Sequence, residues 1–324
     1  MYRRNLLKSI ITGVAGAGLA PARGLSVGAE DSRPSRSRGK HSQTAFIEMA
    51  DGTNLFYRDW GKGKPVVFVT GWAVSSEMWE YQMAYLSGQG LRCVAYDRRG
   101  HGRSGQPGYG YDYDTLADDL AKVIVELDLR EVTLVGHSMG GGEIVRYLSR
   151  HGAGYVSRIV LVASITPFLL KTADNPEGVD ASYFEGLRKA LAKDRPRWLA
   201  EAAPAFFGAG LPSCSVSPEM MQWGVMMCLQ SSLKATIDAC RSFAETDFRA
   251  EMRKITVPAL IIHGDKDNGA ALDLTGRKSA NLIPRSQLKV YEGAPHGLFI
   301  THMDRLNADL LAFIQGHAAK SMNG

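Results

Sequence analysis

A serine set between two glycines, Gly136-His137-Ser138-Met139-Gly140, is the residue of this chain best placed for covalent chemistry. The G-x-S-x-G spacing is that of a nucleophile elbow, a sharp strand-to-helix turn that strains the serine backbone and exposes its hydroxyl. A serine hydroxyl is a weak nucleophile until a general base takes its proton and a carboxylate fixes the tautomer of that base. Asp267, in His263-Gly264-Asp265-Lys266-Asp267, and His296, in Gly293-Ala294-Pro295-His296-Gly297, supply those residue types in the order serine, acid, histidine. Asp265 competes for the carboxylate role, because Asp favours turns after strands for geometric reasons alone; spacing prefers Asp267. Of the eight histidines, His101, His137, His263 and His302 also stand near motifs, and a lone histidine is more often a packing or surface residue. Attack on an acyl carbon would put a full negative charge on the former carbonyl oxygen. The amides of Met139, next to the nucleophile, and of Trp72, after an earlier apolar run, are the candidates to receive it.

These residues need strand ends to hold them, and the pattern supplies strands. Ala45 to Met49 and Leu55 to Trp60 flank Asp51-Gly52 and predict a hairpin. Apolar runs at Pro65 to Thr70 and Val132 to Val135 predict strands buried on both faces, and Leu91 to Tyr96, Ile159 to Ala163, Ala259 to His263 and Gln287 to Tyr291 predict further strands. Helical spacing fills the intervals: Ser75 to Gly88, Tyr113 to Leu127, a helix opening at Glu143, one around Leu272 to Leu282, and a closing helix from Asp304 to Ile314. Alternating strands and helices imply an α/β fold, a mostly parallel sheet with helices on both faces. The expected core spans 45–165 and 251–318. Residues 166–250 break the alternation, are rich in aromatics and methionine, and read as a helical cap inserted over the sheet.

With 45% hydrophobic and 22% charged residues the chain has globular composition. Met-Tyr-Arg-Arg-Asn-Leu-Leu-Lys, a mildly apolar stretch and small residues near Ala22 and Ala29 make residues 1–29 an export signal of twin-arginine type. Its apolar part is shorter than the roughly 20 residues of a spanning helix. A basic linker follows over 30–44, and the expected destination is the periplasm. Four of the 38 basic residues, Arg3, Arg4, Lys8 and Arg23, belong to that leader, so the remaining chain is nearly neutral against its 33 acidic residues. That balance gives no reason to expect nucleic acid or a membrane surface as partner. Cys93, Cys214, Cys228 and Cys240 form no C-x-x-C pair. Cys93 sits in a strand-like run as a small hydrophobe, and a disulfide among the others would require an oxidising compartment.

Two glycine patterns imitate cofactor sites. Gly100, Gly102 and Gly105 spell G-x-G-x-x-G, but Gln106-Pro107-Gly108 cannot open the helix that a dinucleotide site needs. Gly140-Gly141-Gly142 lacks the Lys-Ser/Thr of a P-loop and is explained by close helix packing. No metal-ligand spacing occurs, so neither metal nor cofactor is expected.

Taken together, Gly71-Trp72, Asp97-Arg98-Arg99-Gly100-His101-Gly102-Arg103-Ser104, Gly136 to Glu143, His263 to Asp267 and Pro295-His296-Gly297 resemble the α/β-hydrolase superfamily. More narrowly they resemble the cofactor-free bacterial haloperoxidases, also described as aryl esterases and perhydrolases. Trp79, Gln82, Phe243 to Phe248 and Asn307 to Ile314 extend the likeness over about 46–315. The resemblance implies Ser138 as nucleophile, His296 as base, Asp267 as its orienter, and Trp72 and Met139 as oxyanion amides. It implies ester hydrolysis through an acyl-enzyme, and peracid formation when hydrogen peroxide replaces water, the peracid then oxidising halide. A small ester or carboxylic acid and hydrogen peroxide would be the partners. The chain departs from the group at Thr70-Gly71-Trp72-Ala73, where His-Gly-Trp-Pro is usual, and at Asn268-Gly269-Ala270-Ala271, where a hydrophobic pair and proline are common. Lactone or C–C hydrolysis on the same triad, and a non-catalytic ligand sensor, are the alternative readings. An elbow serine disfavours epoxide hydrolase and haloalkane dehalogenase chemistry, which use aspartate there.

Overall fold

The computed structural model describes residues 45–316. The export signal over 1–29, the linker over 30–44 and the last two residues of the expected core lie outside the described residues. The strands are β1 (Phe46–Glu48), β2 (Asn54–Trp60), β3 (Lys64–Val69), β4 (Leu91–Tyr96), β5 (Val132–His137), β6 (Val156–Val162), β7 (Ala259–Gly264) and β8 (Ser286–Tyr291). They form one sheet in the order β1-β2-β4-β3-β5-β6-β7-β8. The β1–β2 and β2–β4 pairs are antiparallel, and every pair from β4 to β8 is parallel.

The helices are α1 (Glu80–Gly88), α2 (Tyr113–Glu126), α3 (Met139–His151), α4 (Ala181–Phe206), α5 (Pro218–Leu229), α6 (Leu233–Glu245), α7 (Arg249–Met252), α8 (Gly276–Leu282), α9 (Leu298–Thr301) and α10 (Met303–Gln315). Strand alternation sends neighbouring residues into two separate apolar layers. Val67 and Val69 of β3 join Leu116, Leu120 and Ile124 of α2 and Ile144 of α3. Val66 and Phe68 join Leu86 of α1 and Leu306, Leu310 and Ile314 of α10. The sheet is therefore covered on both faces, which is why its central strands read as unbroken apolar runs. Side chains cap the helices that enter from loops: Asp112 accepts from Thr115 N (2.9 Å) at α2 and Ser232 from Ala235 N (3.0 Å) at α6.

Between β6 and β7 the chain forms α4 to α7. Helix α4 is broken at Asp194, whose φ of −157° and ψ of 76° lie outside the helical range two residues before Pro196. The Asp194 carboxylate accepts from Arg197 N (3.1 Å) and so restarts the helix after the break.

Three helix starts differ from the sequence reading. Helix α1 opens at Glu80, five residues after Ser75, because Ser76–Trp79 form a 3-10 turn before it. Helix α3 opens at Met139, four residues before Glu143, and takes in all three glycines. Their lack of side chains lets the helix begin directly against the sheet: a Cβ on Gly140 would stand 2.7 Å from the carbonyl oxygens of Val69 and Thr70, and one on Gly141 2.1 Å from Ser164 Oγ. Helix α8 opens at Gly276, after Leu272, because the buried Thr275 turns its hydroxyl back to donate to Ala271 O (2.8 Å). All four cysteines are free. Burial pushes the Cys93 thiol up to about 12, so it stays protonated within its strand.

Candidate active site

Ser138 stands between the last residue of β5 and the first of α3, at φ 52° and ψ −117°. A non-glycine residue holds such a conformation at a cost of about 1–3 kcal/mol, and only where its surroundings enforce it. Here the Ser138 amide donates to Val162 O of β6 (3.0 Å), while its carbonyl accepts from Gly141 N (3.1 Å) and Ile165 N (3.3 Å). The flanking glycines are required by contact: a Cβ on Gly136 would meet the Gly140 backbone at 2.7 Å.

The loops after β7 and β8 bring Asp267 and His296 to this serine. His296 Nε2 lies 2.9 Å from Ser138 Oγ, and His296 Nδ1 lies 2.7 Å from Asp267 Oδ2. With a carboxylate as acceptor, Nδ1 carries the proton and Nε2 offers its lone pair to the serine hydroxyl. All three residues are buried. Asp267 is fixed in turn by its own loop, since Gly269 N (2.9 Å) and Ala270 N (2.7 Å) both donate to Oδ1. Burial by itself would raise the Asp267 pKa. The charge His296 can carry and hydrogen bonds from the His263 and His296 rings outweigh it and hold the carboxyl well below the usual range. Asp265 is elsewhere: its carboxylate accepts from Gly293 N (2.7 Å) and joins the two loops at the surface.

Two further histidines belong to the site. His263 of β7 is buried, with Nε2 2.6 Å from Ala270 O and 3.3 Å from Asp267 Oδ2, so it meets the same carboxylate oxygen as His296. His137 donates from Nε2 to the backbone carbonyl of His296 (3.0 Å). Burial and the neighbouring His296 push the His137 pKa down to about 3 and keep that ring neutral. Only their places at the ends of β7 and β5 hinted at these roles. His101 is also neutral, pushed down to about 3 by burial and by Arg98, and it donates from Nδ1 to Arg99 O (2.8 Å) within its own loop. The His302 ring lies away from this site, with Nδ1 2.9 Å from the hydroxyl of Thr301 beside it.

Trp72 follows β3, and its side chain is turned into the helices above the sheet. The indole N–H donates to Thr236 O of α6 (2.8 Å), and the ring meets Trp198 and Phe243 edge-on. The backbone amides of Trp72 and Met139 donate to no other group among the described residues. Met139 is the first residue of α3, where helix amides lack internal partners and the dipole favours negative charge. Ala73, next to Trp72, has φ 62°, a value closed to the proline ring. Ser231 fixes that turn by donating its hydroxyl to Ala73 O (2.8 Å).

A cavity of about 540 Å³ opens over Ser138 and His296. Ile165, Leu169, Phe184, Leu187, Trp198 and Phe206 form much of its wall, Asn268 to Ala271 border it in part, and among the described residues no Asp, Glu, Lys or Arg lines it. The arrangement provides a hydroxyl with a base, a charged orienter for the base, two free amides and an uncharged apolar chamber.

Residues 64–303 match the family described as alpha/beta hydrolase fold. The chain is 41% identical over 271 residues to a non-heme haloperoxidase of Rhodococcus erythropolis, covering 83% of this chain and 99% of that one. It is 39% identical over 277 residues to a bifunctional esterase/perhydrolase of Acinetobacter calcoaceticus, again covering 83% and 99%. Among solved structures, a bromoperoxidase from Bacillus anthracis superposes with a TM-score of 0.78 at 39% identity, over 81% of this chain and 96% of that one.

The lowered Asp267 pKa makes a definite demand on acid stability. A carboxylate with a depressed folded-state pKa stabilises fully above its unfolded value, near 3.8, and loses that contribution as pH falls toward the folded value. Asp267→Asn removes this contribution. The melting temperature of the wild type is expected to fall more steeply than that of the variant as the pH drops below about 4, and parallel curves there would contradict the ionised, hydrogen-bonded state of Asp267.

Proposed function

The chain belongs to the α/β-hydrolase family, and we propose that it is a serine hydrolase that cleaves uncharged carboxylic esters through an acyl-enzyme on Ser138, with peracid synthesis as a second outcome of the same intermediate. The hydrogen-bonded line from Asp267 through His296 to Ser138 carries this reading. The ester enters the apolar chamber and its carbonyl carbon is attacked by Ser138 Oγ as His296 Nε2 takes the hydroxyl proton. Asp267 stays ionised and stabilises the imidazolium. The amides of Met139 and Trp72 receive the negative oxygen of the tetrahedral intermediate. Collapse breaks the ester C–O bond, and His296 returns the proton to the departing alcohol. Water, deprotonated by His296, then attacks the acyl carbon and releases the carboxylic acid with regeneration of Ser138. Hydrogen peroxide in the place of water releases the peracid, which can oxidise halide in solution.

Two observations support the substrate class. A chamber without charged side chains would desolvate a charged ligand with nothing to pair it, so neutral esters fit and ionised ones do not. Similarity to proteins named haloperoxidase and esterase/perhydrolase supports peroxide as the alternative acceptor. Arg3-Arg4-Asn5-Leu6-Leu7-Lys8 supports a further proposal, export to the periplasm by the twin-arginine route.

Ser138→Ala is expected to lower turnover of a short-chain aryl ester by roughly 10⁴-fold or more. In the same preparations, bromination of an activated methylene indicator should require an added acetate ester and peroxide and should disappear with the variant. Ester turnover retained by Ser138→Ala would overturn the nucleophile, and bromination without the acetate ester would overturn the peracid route. For export, full-length protein should fractionate with the periplasm, and Arg3→Lys with Arg4→Lys should leave it in the cytoplasm; unchanged fractionation would contradict the twin-arginine route.

A further inference from the structure

An ion pair lies behind the nucleophile and outside the cavity. Arg98 is 1% exposed, Glu143 is 0% exposed, and their charged atoms are 2.9 Å apart. A buried pair of this kind seldom stabilises a fold more than apolar side chains of the same volume would. What it touches is therefore informative. Arg98 Nη1 donates to Gly71 O at 2.9 Å, Nη2 donates to Thr70 O at 2.7 Å, and Nε donates to Glu143 Oε2 at 2.9 Å. The other Glu143 oxygen accepts from the buried Tyr96 hydroxyl. One planar guanidinium thus joins the loop after β3 to α3.

The Gly71 carbonyl and the Trp72 amide are opposite ends of one planar peptide unit. Holding the carbonyl fixes the rotation of that plane and turns the N–H away from Arg98. Gly71, Trp72 and Ser138 all line the cavity. A cationic donor on the carbonyl also polarises the peptide unit, so the amide at its other end becomes the stronger donor. Through Glu143 the same guanidinium is tied to the helix whose first residue, Met139, supplies the second amide. Gly140 completes the junction, because its missing side chain lets α3 touch the Val69 and Thr70 carbonyls.

We infer that Arg98, braced by Glu143 and Tyr96, is a positioning residue for catalysis: it orients and polarises the Gly71–Trp72 peptide and sets the spacing of the two amides that receive the oxyanion. The inference rests on the reading of Trp72 and Met139 as oxyanion donors. It makes the buried pair a device for transition-state stabilisation, not for ester binding or for fold stability.

Arg98→Lys tests it, because a lysine keeps the charge beside Glu143 but has no planar fork to span two carbonyls and a carboxylate together. Arg98→Gln combined with Glu143→Gln is the second variant, and it leaves no lone buried charge. For each, kcat and KM on an aryl ester are measured together with the melting temperature. Affinity is measured for a trifluoromethyl ketone, which adds Ser138 to its carbonyl and carries the oxyanion. Removal of a whole oxyanion donor costs roughly 10²–10³ in kcat, so weakening one should lower kcat by about 10- to 100-fold. KM should stay within about threefold, and ketone affinity should fall by the same factor as kcat. Wild-type kcat and ketone affinity in either folded variant would overturn the inference, as would a loss of kcat with ketone affinity unchanged. If the wild-type protein neither hydrolyses the ester nor binds the ketone, the proposed function itself fails. If it does both while a folded variant keeps kcat, only the role of Arg98 fails.

Discussion

The positive φ of Ser138 is the constraint on which the rest of the structure depends. A strand can pass into a helix at a single residue only if that residue leaves the ordinary backbone range and the helix can lie against the sheet without side chains between them. Gly136, Gly140, Gly141 and Gly142 remove those side chains, each at a position where a Cβ would meet another atom at 2.7 Å or less. The result is a helix N-terminus, with its unpaired amide and positive dipole end, set beside a serine hydroxyl and the end of β3. A longer connection between β5 and α3 would separate these three features. The strain is held by bonds to β6 and to Ile165, so the sheet enforces the turn.

Around that fixed point the charges are arranged asymmetrically. Asp267 is kept ionised by two histidines and two amides, while His137, which touches the His296 carbonyl, is kept neutral by burial. The base therefore has one anion at its Nδ1 side and an uncharged ring beneath it. The helices between β6 and β7 add a second kind of restraint. Thr236 of α6 and Ser231 just before it hold Trp72 and Ala73 from above, and Arg98 holds Thr70 and Gly71 from below. The short segment 70–73 is pinned at every residue, which is what the proposed role of the Trp72 amide would need if reorganisation during the reaction is to be avoided.

Much of this was legible in the chain. Apolar runs give the strands because the sheet is covered on both faces, and the elbow, Asp267 and His296 announce themselves through glycine, proline and turn chemistry at strand ends. The start of α3 was not legible, because glycines at positions 140–142 ordinarily argue against a helix and only the sheet packed beneath them reverses that preference. The roles of His263 and His137 were hidden for a different reason: their partners, Asp267 and the His296 carbonyl, come from loops that only the folded chain brings near. Spacing already prefers Asp267 to Asp265, and the fold agrees by sending one carboxylate to the surface and the other to His296. Ala73 and the segment 268–271, which depart from the haloperoxidase pattern, turn out to shape the loop after β3 and to wrap the Asp267 carboxylate.

The proposed chemistry requires a covalent bond between the substrate acyl group and Ser138 Oγ. Rapid acid quench of the protein during turnover of an activated aryl ester, followed by intact-mass and peptide mass spectrometry, tests that bond directly. A transient mass increase equal to the acyl group is expected, located on the peptide that contains Ser138 and lost when the substrate is exhausted. Steady turnover without an adduct, or an adduct on any other residue, would contradict it.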